Sequence, residues 1–111
     1  FRMNKAKGGL DWFSQQNGFE FQSTANVWDG IVHHCVLTYD GTDYLMYVDG
    51  VQVAIRTDSG NTEWNGTQPL QIGGILNGNI TFSPGLVIGH VAVYDHALSS
   101  QRVLDHFNAG T

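Results

Sequence analysis

The side chains in this 111-residue chain that could do chemistry are five histidines, one cysteine, two glutamates and a tryptophan set among amides. Glycosidic cleavage needs two carboxyl groups held at a fixed separation. Glu20 and Glu63 lie in separate segments. A thiol nucleophile needs a base within reach. Cys35 directly follows His34, and adjacent residues of a strand point to opposite faces. His33 and His34 are neighbours, while His90, His96 and His106 fall near the carboxy terminus without a zinc spacing. Structural roles are expected for all five, and an enzyme is the last-ranked reading.

Trp64 is different, because Asn61, Glu63 and Asn65 surround it in a polar stretch from residue 57 to 69. An aromatic ring with amide and carboxylate neighbours has the composition of a sugar platform. Tyr44 and Tyr47 would add a second surface. The competing reading is a loop tryptophan folded back on the core. Asn65-Gly66-Thr67 and Asn79-Ile80-Thr81 also match the glycosylation acceptor pattern.

The formal charge of −5 argues against a nucleic-acid partner, since the chain as a whole would be repelled by phosphates. Arg2, Lys5 and Lys7 form a basic leading arm, expected to be a solvated end. Lone Cys35 has no internal disulfide partner and reads as a small buried hydrophobe. No run approaches the roughly 18 apolar residues of a membrane helix, so membrane insertion is not expected. The chain starts at Phe1, as an excised or processed segment would.

The elements that must position these groups are short. Fourteen glycines and two prolines, with 41% hydrophobic and 14% charged residues, suggest strands joined by tight turns. Residues 10–15 and 19–22 read as a hairpin through Asn17-Gly18. Strands at 31–39, 44–48 and 51–56 form a meander turned at Asp40-Gly41 and Asp49-Gly50. Tyr44, Met46 and Val48 alternate with Leu45 and Tyr47, so both faces of that middle strand are apolar. Short strands are expected near 70–72 and 80–82, and an apolar last strand at 86–94. Ser99 caps a two-turn helix whose inner side carries Val103, Leu104 and Phe107, with an end expected at Asn108 to Gly110. One domain spanning residues 1–111 is expected.

Four segments then stand in a telling order: His33-His34-Cys35-Val36-Leu37-Thr38-Tyr39-Asp40-Gly41, Leu45-Met46-Tyr47-Val48-Asp49-Gly50, Leu70-Gln71-Ile72-Gly73-Gly74, and Gly89 to Ser99. Together they resemble the carboxy-terminal part of a laminin-G-like domain of the concanavalin-A-like lectin/glucanase superfamily. The resemblance implies an all-β, two-sheet antiparallel jelly-roll sandwich with one short C-terminal helix. Family members often carry Trp before the His-His pair, where this chain has Val32. They also usually have further amino-terminal strands, so the sandwich is expected to be incomplete at that end, with edges covered by missing residues or neighbouring chains.

Many relatives hold one calcium ion at the sandwich rim, and the matching candidates are Asp40, Asp43, Asp49 and Asp58. Turn chemistry accounts equally for Asp40 and Asp49. The catalytic relatives place their carboxylates along one strand, and no Glu-x-Asp-x-x-Glu series occurs here. The implied function is a non-enzymatic carbohydrate-binding or adhesion module of an extracellular or surface protein, with a glycan or surface protein as partner. The alternative is a structural interaction or decoration domain in a larger assembly such as a virion coat or tail. Glycoside hydrolase ranks last.

Overall fold

A computed structural model describes residues 2–4, 9–14, 19–57, 70, 72–73 and 87–110. Within them are six strands and one helix: β1 (Arg2–Asn4), β2 (Gly9–Ser14), β3 (Phe19–Gln22), β4 (Cys35–Tyr39), β5 (Asp43–Val48), β6 (Val51–Thr57) and α1 (Ser100–Gly110). They form two antiparallel sheets, ordered β1-β2-β3 and β4-β5-β6. The fold is the expected concanavalin-A-like sandwich with a C-terminal helix.

Alternating apolar side chains make the core. Leu10 and Phe21 of the first sheet, with Val27 from the following segment, meet Tyr44, Met46 and Val48 of β5. The Phe21 and Tyr44 rings lie 6.2 Å apart across that interface, and Tyr39 stacks on its ladder partner Tyr44 at 4.2 Å. Burying each such large side chain contributes about 1.5–3 kcal/mol. The opposite face of β5 is covered as well, since Tyr47 is also buried.

Turn chemistry fixes the second sheet's register. Asp40 Oδ1 accepts the Thr42 and Asp43 backbone N–H groups, both at 2.8 Å, which closes the β4–β5 turn. Val48 pairs with Val51, leaving Asp49-Gly50 as a two-residue loop with φ of 52° and 80°. Positive φ at both positions is what a type I′ hairpin requires. Between Met46 and Tyr47 the register shifts: their partners are Ala54 and Gln52, so Val53 is the extra residue of a bulge.

The helix forms as the cap predicts, with Ser99 Oγ accepting the Arg102 N–H at 3.2 Å and Ser99 O accepting the Val103 N–H at 3.0 Å. It runs through Gly110, longer than the expected two turns. Val103 is fully buried, and Leu104 and Phe107 approach the Gly50 turn.

Four expectations change. The basic arm is not simply a frayed end: Arg2, Met3 and Asn4 pair with Asp11, Leu10 and Gly9, because β2 offers an edge whose backbone groups need partners. The strand expected at 31–39 begins only at Cys35, with Ile31 and Val32 exposed. The reason is that His34 lies beyond the last ladder pair, Cys35 with Val48, and exchanges its hydrogen bonds with Asp49 instead. Leu70 and Ile72 are not in a strand. Residues 87–94 are not in one either, and Val87, Val91 and Val93 are exposed. An apolar run becomes a strand only where a second backbone supplies the ladder, which hydrophobicity alone cannot report. The Gln16-Asn17-Gly18 turn and the 80–82 strand lie outside the described residues.

Candidate functional site

The most highly organised polar cluster among the described residues sits where the segment between the sheets meets the β5–β6 turn. His33 Nδ1 lies 2.7 Å from Asp49 Oδ2, and His33 Nε2 lies 2.9 Å from Asp29 Oδ1. A neutral imidazole has a single N–H, so only the imidazolium donates to both carboxylates. The hydrogen bond to Asp49, followed by that to Asp29, raises the His33 pKa against the opposing effect of burial. Asp29 is correspondingly held below the usual carboxylate value, first by His33 and then by the Ile31 N–H that it accepts at 3.1 Å. The result is a carboxylate–imidazolium–carboxylate clasp whose central side chain is only 9% exposed.

Asp49 has a second duty: its Oδ1 accepts the His34 N–H at 2.9 Å, while its own N–H donates to His34 O at 2.9 Å. The His34 ring meets different surroundings, 6.3 Å from Phe107 of α1. Burial, then the charge of His106, lowers its pKa, with Asp49 opposing. Two adjacent histidines are therefore biased in opposite directions. Burial also pushes the Cys35 thiol up to about 11, far from the thiolate a nucleophile needs. Farther along, Tyr94 lies between His96 and His106 at ring separations of 6.3 and 5.8 Å, and His96 Nδ1 meets Asp95 at 2.7 Å.

Of the candidate calcium residues, Asp40 and Asp43 share the β4–β5 turn, where the Asp43 N–H donates to Asp40 Oδ1 at 2.8 Å, and Asp49 does not join them. Asp40 caps its own turn, Asp43 Oδ1 accepts the Thr57 hydroxyl at 2.6 Å, and Asp49 holds His33 and His34. Asp43 and Asp49 mark opposite ends of β5, six residues or about 20 Å apart, beyond the span of one ion's ligands. A cationic His33 beside Asp49 would also repel a metal ion. Among the described residues no three His, Cys, Asp or Glu side chains gather as a metal site. Asp58 lies outside the described residues.

The candidate aromatic surface is divided too. Tyr44 and Tyr47 are 3% and 2% exposed, packed on the two faces of β5 rather than presented to a ligand. Trp64, Asn61, Glu63 and Asn65 lie outside the described residues. Glu20 is exposed on β3, where Gln22 Nε2 donates to its carboxylate. Sequence reading missed Asp29 and the clasp altogether. The i, i+4 spacing of Asp29 and His33 was the available signal, but the sixteen residues from His33 to Asp49 carry none.

Family comparison agrees with this architecture. A laminin-G family model of the concanavalin A-like lectin/glucanases superfamily matches residues 1–104. The chain belongs to that family. No curated protein matches this laminin-G-like domain by sequence. A similar solved structure is the 2.1 Å crystal structure of an S-layer domain-containing protein, residues 221–444, from Clostridium thermocellum ATCC 27405. Its TM-score is 0.61 at 17% identity, which is a likeness of fold. The alignment covers 96% of the laminin-G-like domain but 66% of the S-layer chain, so the domain spans just under two thirds of that neighbour's length.

Proposed function

We propose that this laminin-G-like domain is a non-enzymatic recognition module of the lectin rather than the glucanase kind, binding carbohydrate or mediating adhesion on an extracellular, cell or virion surface. The observation that carries the reading is the state of its carboxylates. Asp29, Asp40, Asp43 and Asp49 are engaged in a clasp, two turns and a strand-end hydroxyl rather than held as the separated acid–base pair that glycosidic cleavage needs. With the tyrosines of β5 inside, sugar contact rests on Trp64, flanked by Asn61, Glu63 and Asn65. Any calcium contribution rests on Asp40, Asp43 and Asp58, because Asp49 is committed elsewhere.

The test is a glycan array probed with the purified domain, combined with a cleavage assay on each glycan bound. Binding without cleavage, weakened at least tenfold by Trp64→Ala, is the expected result. Cleavage would overturn the reading.

The second reading is a structural docking unit in a surface assembly. It draws on Ile31, Val32, Val87, Val91 and Val93, each more than half exposed, since exposed apolar surface of this kind favours protein contact. The likeness of fold to an S-layer domain-containing protein points the same way. An array without any binder, together with co-sedimentation of the domain with its native surface assembly, would decide for it.

A further inference from the structure

His34 differs from His33 in what it can do with a second proton. Its Nδ1 is buried and has no hydrogen-bond partner among the described residues. In a neutral imidazole that atom can remain a bare lone pair, whereas in the imidazolium it becomes a buried N–H with nothing to receive it. Among the described residues, the groups that face it are few. Asp49 approaches from the β5–β6 turn, but its charge is already answered by His33 at 2.7 Å. His106 approaches from α1 and opposes protonation. The neighbouring Cys35 keeps its proton. The other charges on α1 and β6 are engaged elsewhere or exposed: Asp105 accepts from Gln101, Arg102 is exposed, and Arg56 reaches Glu20 O. The Phe107 ring, at 6.3 Å, lies just past the roughly 6 Å range in which an aromatic face would reward a cation.

We propose that His34 is a pH latch for α1: as a neutral imidazole it lies against Phe107 and keeps the helix on the β4-β5-β6 sheet, and its protonation loosens the helix while the His33 clasp persists. An eleven-residue helix is not stable alone in water, so its seating on the sheet decides whether it forms. That seating is concentrated in Val103 and in the approach of Leu104 and Phe107 to Gly50, next to the Asp49 that holds His34. A charge introduced at His34 therefore acts at the seam itself. His33, one residue away, responds in the opposite sense, because acid keeps it in the form its carboxylates require.

The experiment is amide hydrogen exchange on the whole chain at about pH 7.5 and about pH 5, corrected for intrinsic rates, with an NMR titration of the histidine rings in parallel. Opening of α1 is expected to increase on acidification, by up to tenfold for each unit by which the His34 pKa lies below its free value, while β5 keeps its protection. His34→Gln, which cannot titrate, should flatten the α1 response. Equal α1 protection at both pH values, or an undiminished response in His34→Gln, would overturn the latch. Should His34→Gln fail to fold, the wild-type titration decides: a His34 pKa at or above 6.5 rules the proposal out, and one clearly below it, with α1 opening along the same curve, supports it.

Discussion

At the scale of single residues, the clasp makes a signed prediction about pH. His33 has a raised folded pKa, so its contribution is complete below the ordinary value of 6.5 and is lost as pH rises through the folded value. Asp29 has a lowered one, so its contribution is complete above 3.8 and is lost as pH falls through the folded value. Between those limits both hydrogen bonds are charge-assisted. The melting-temperature gap between wild type and His33→Asn should therefore be widest near pH 5 and shrink by about pH 9. A gap that grew with pH would contradict the imidazolium assignment. Of this cluster, the turn role of Asp49 was legible in Asp-Gly, and its clasp role was not. A turn is a local property of four residues, whereas the partner of a carboxylate is set by which distant segment passes by.

Element boundaries follow the same division. β3, β5 and β6 were readable to within a residue or two, since alternation and Asp-Gly turns are both written locally. Ser99 likewise announced the start of α1. The start of β4 was missed because Asp49 intercepts His34, and β1 because pairing with β2 depends on an edge rather than on β1's own residues. The two turn glycines now separate what a turn needs from what packing needs. Both have positive φ, 99° at Gly41 and 80° at Gly50. A Cβ at Gly41 would meet open space, whereas at Gly50 it would lie 2.7 Å from Leu104 Cδ1 and 3.3 Å from Leu104 Cα. Gly41→Ala is expected to cost about 1 kcal/mol from backbone strain alone. Gly50→Ala should cost about 2–4 kcal/mol, because displacement of α1 is added. Urea midpoints of the two variants check this, and equal losses would mean that α1 does not press on the turn.

On the scale of the whole molecule, stability depends on the two sheets closing over β5. Met46 is completely buried within the cluster drawn from both sheets, so Met46→Ala should destabilise by about 2–5 kcal/mol in chemical denaturation. A loss under 1 kcal/mol would mean that the sheets do not share a core. By itself the sequence determined the sandwich class, the meander, the capped helix and the family, because these are encoded in periodicity, turn residues and the order of short motifs. It also marked both faces of β5 as apolar. Only the tertiary structure decided that Tyr44 and Tyr47 are enclosed rather than offered to a ligand, that Asp43 and Asp49 stand at opposite ends of a strand, and that the surroundings of His33 raise its pKa while those of His34 lower it. Burial and the charge on a neighbouring group depend on which surfaces meet, and residues far apart in the chain settle that only when the sheets and helix come together.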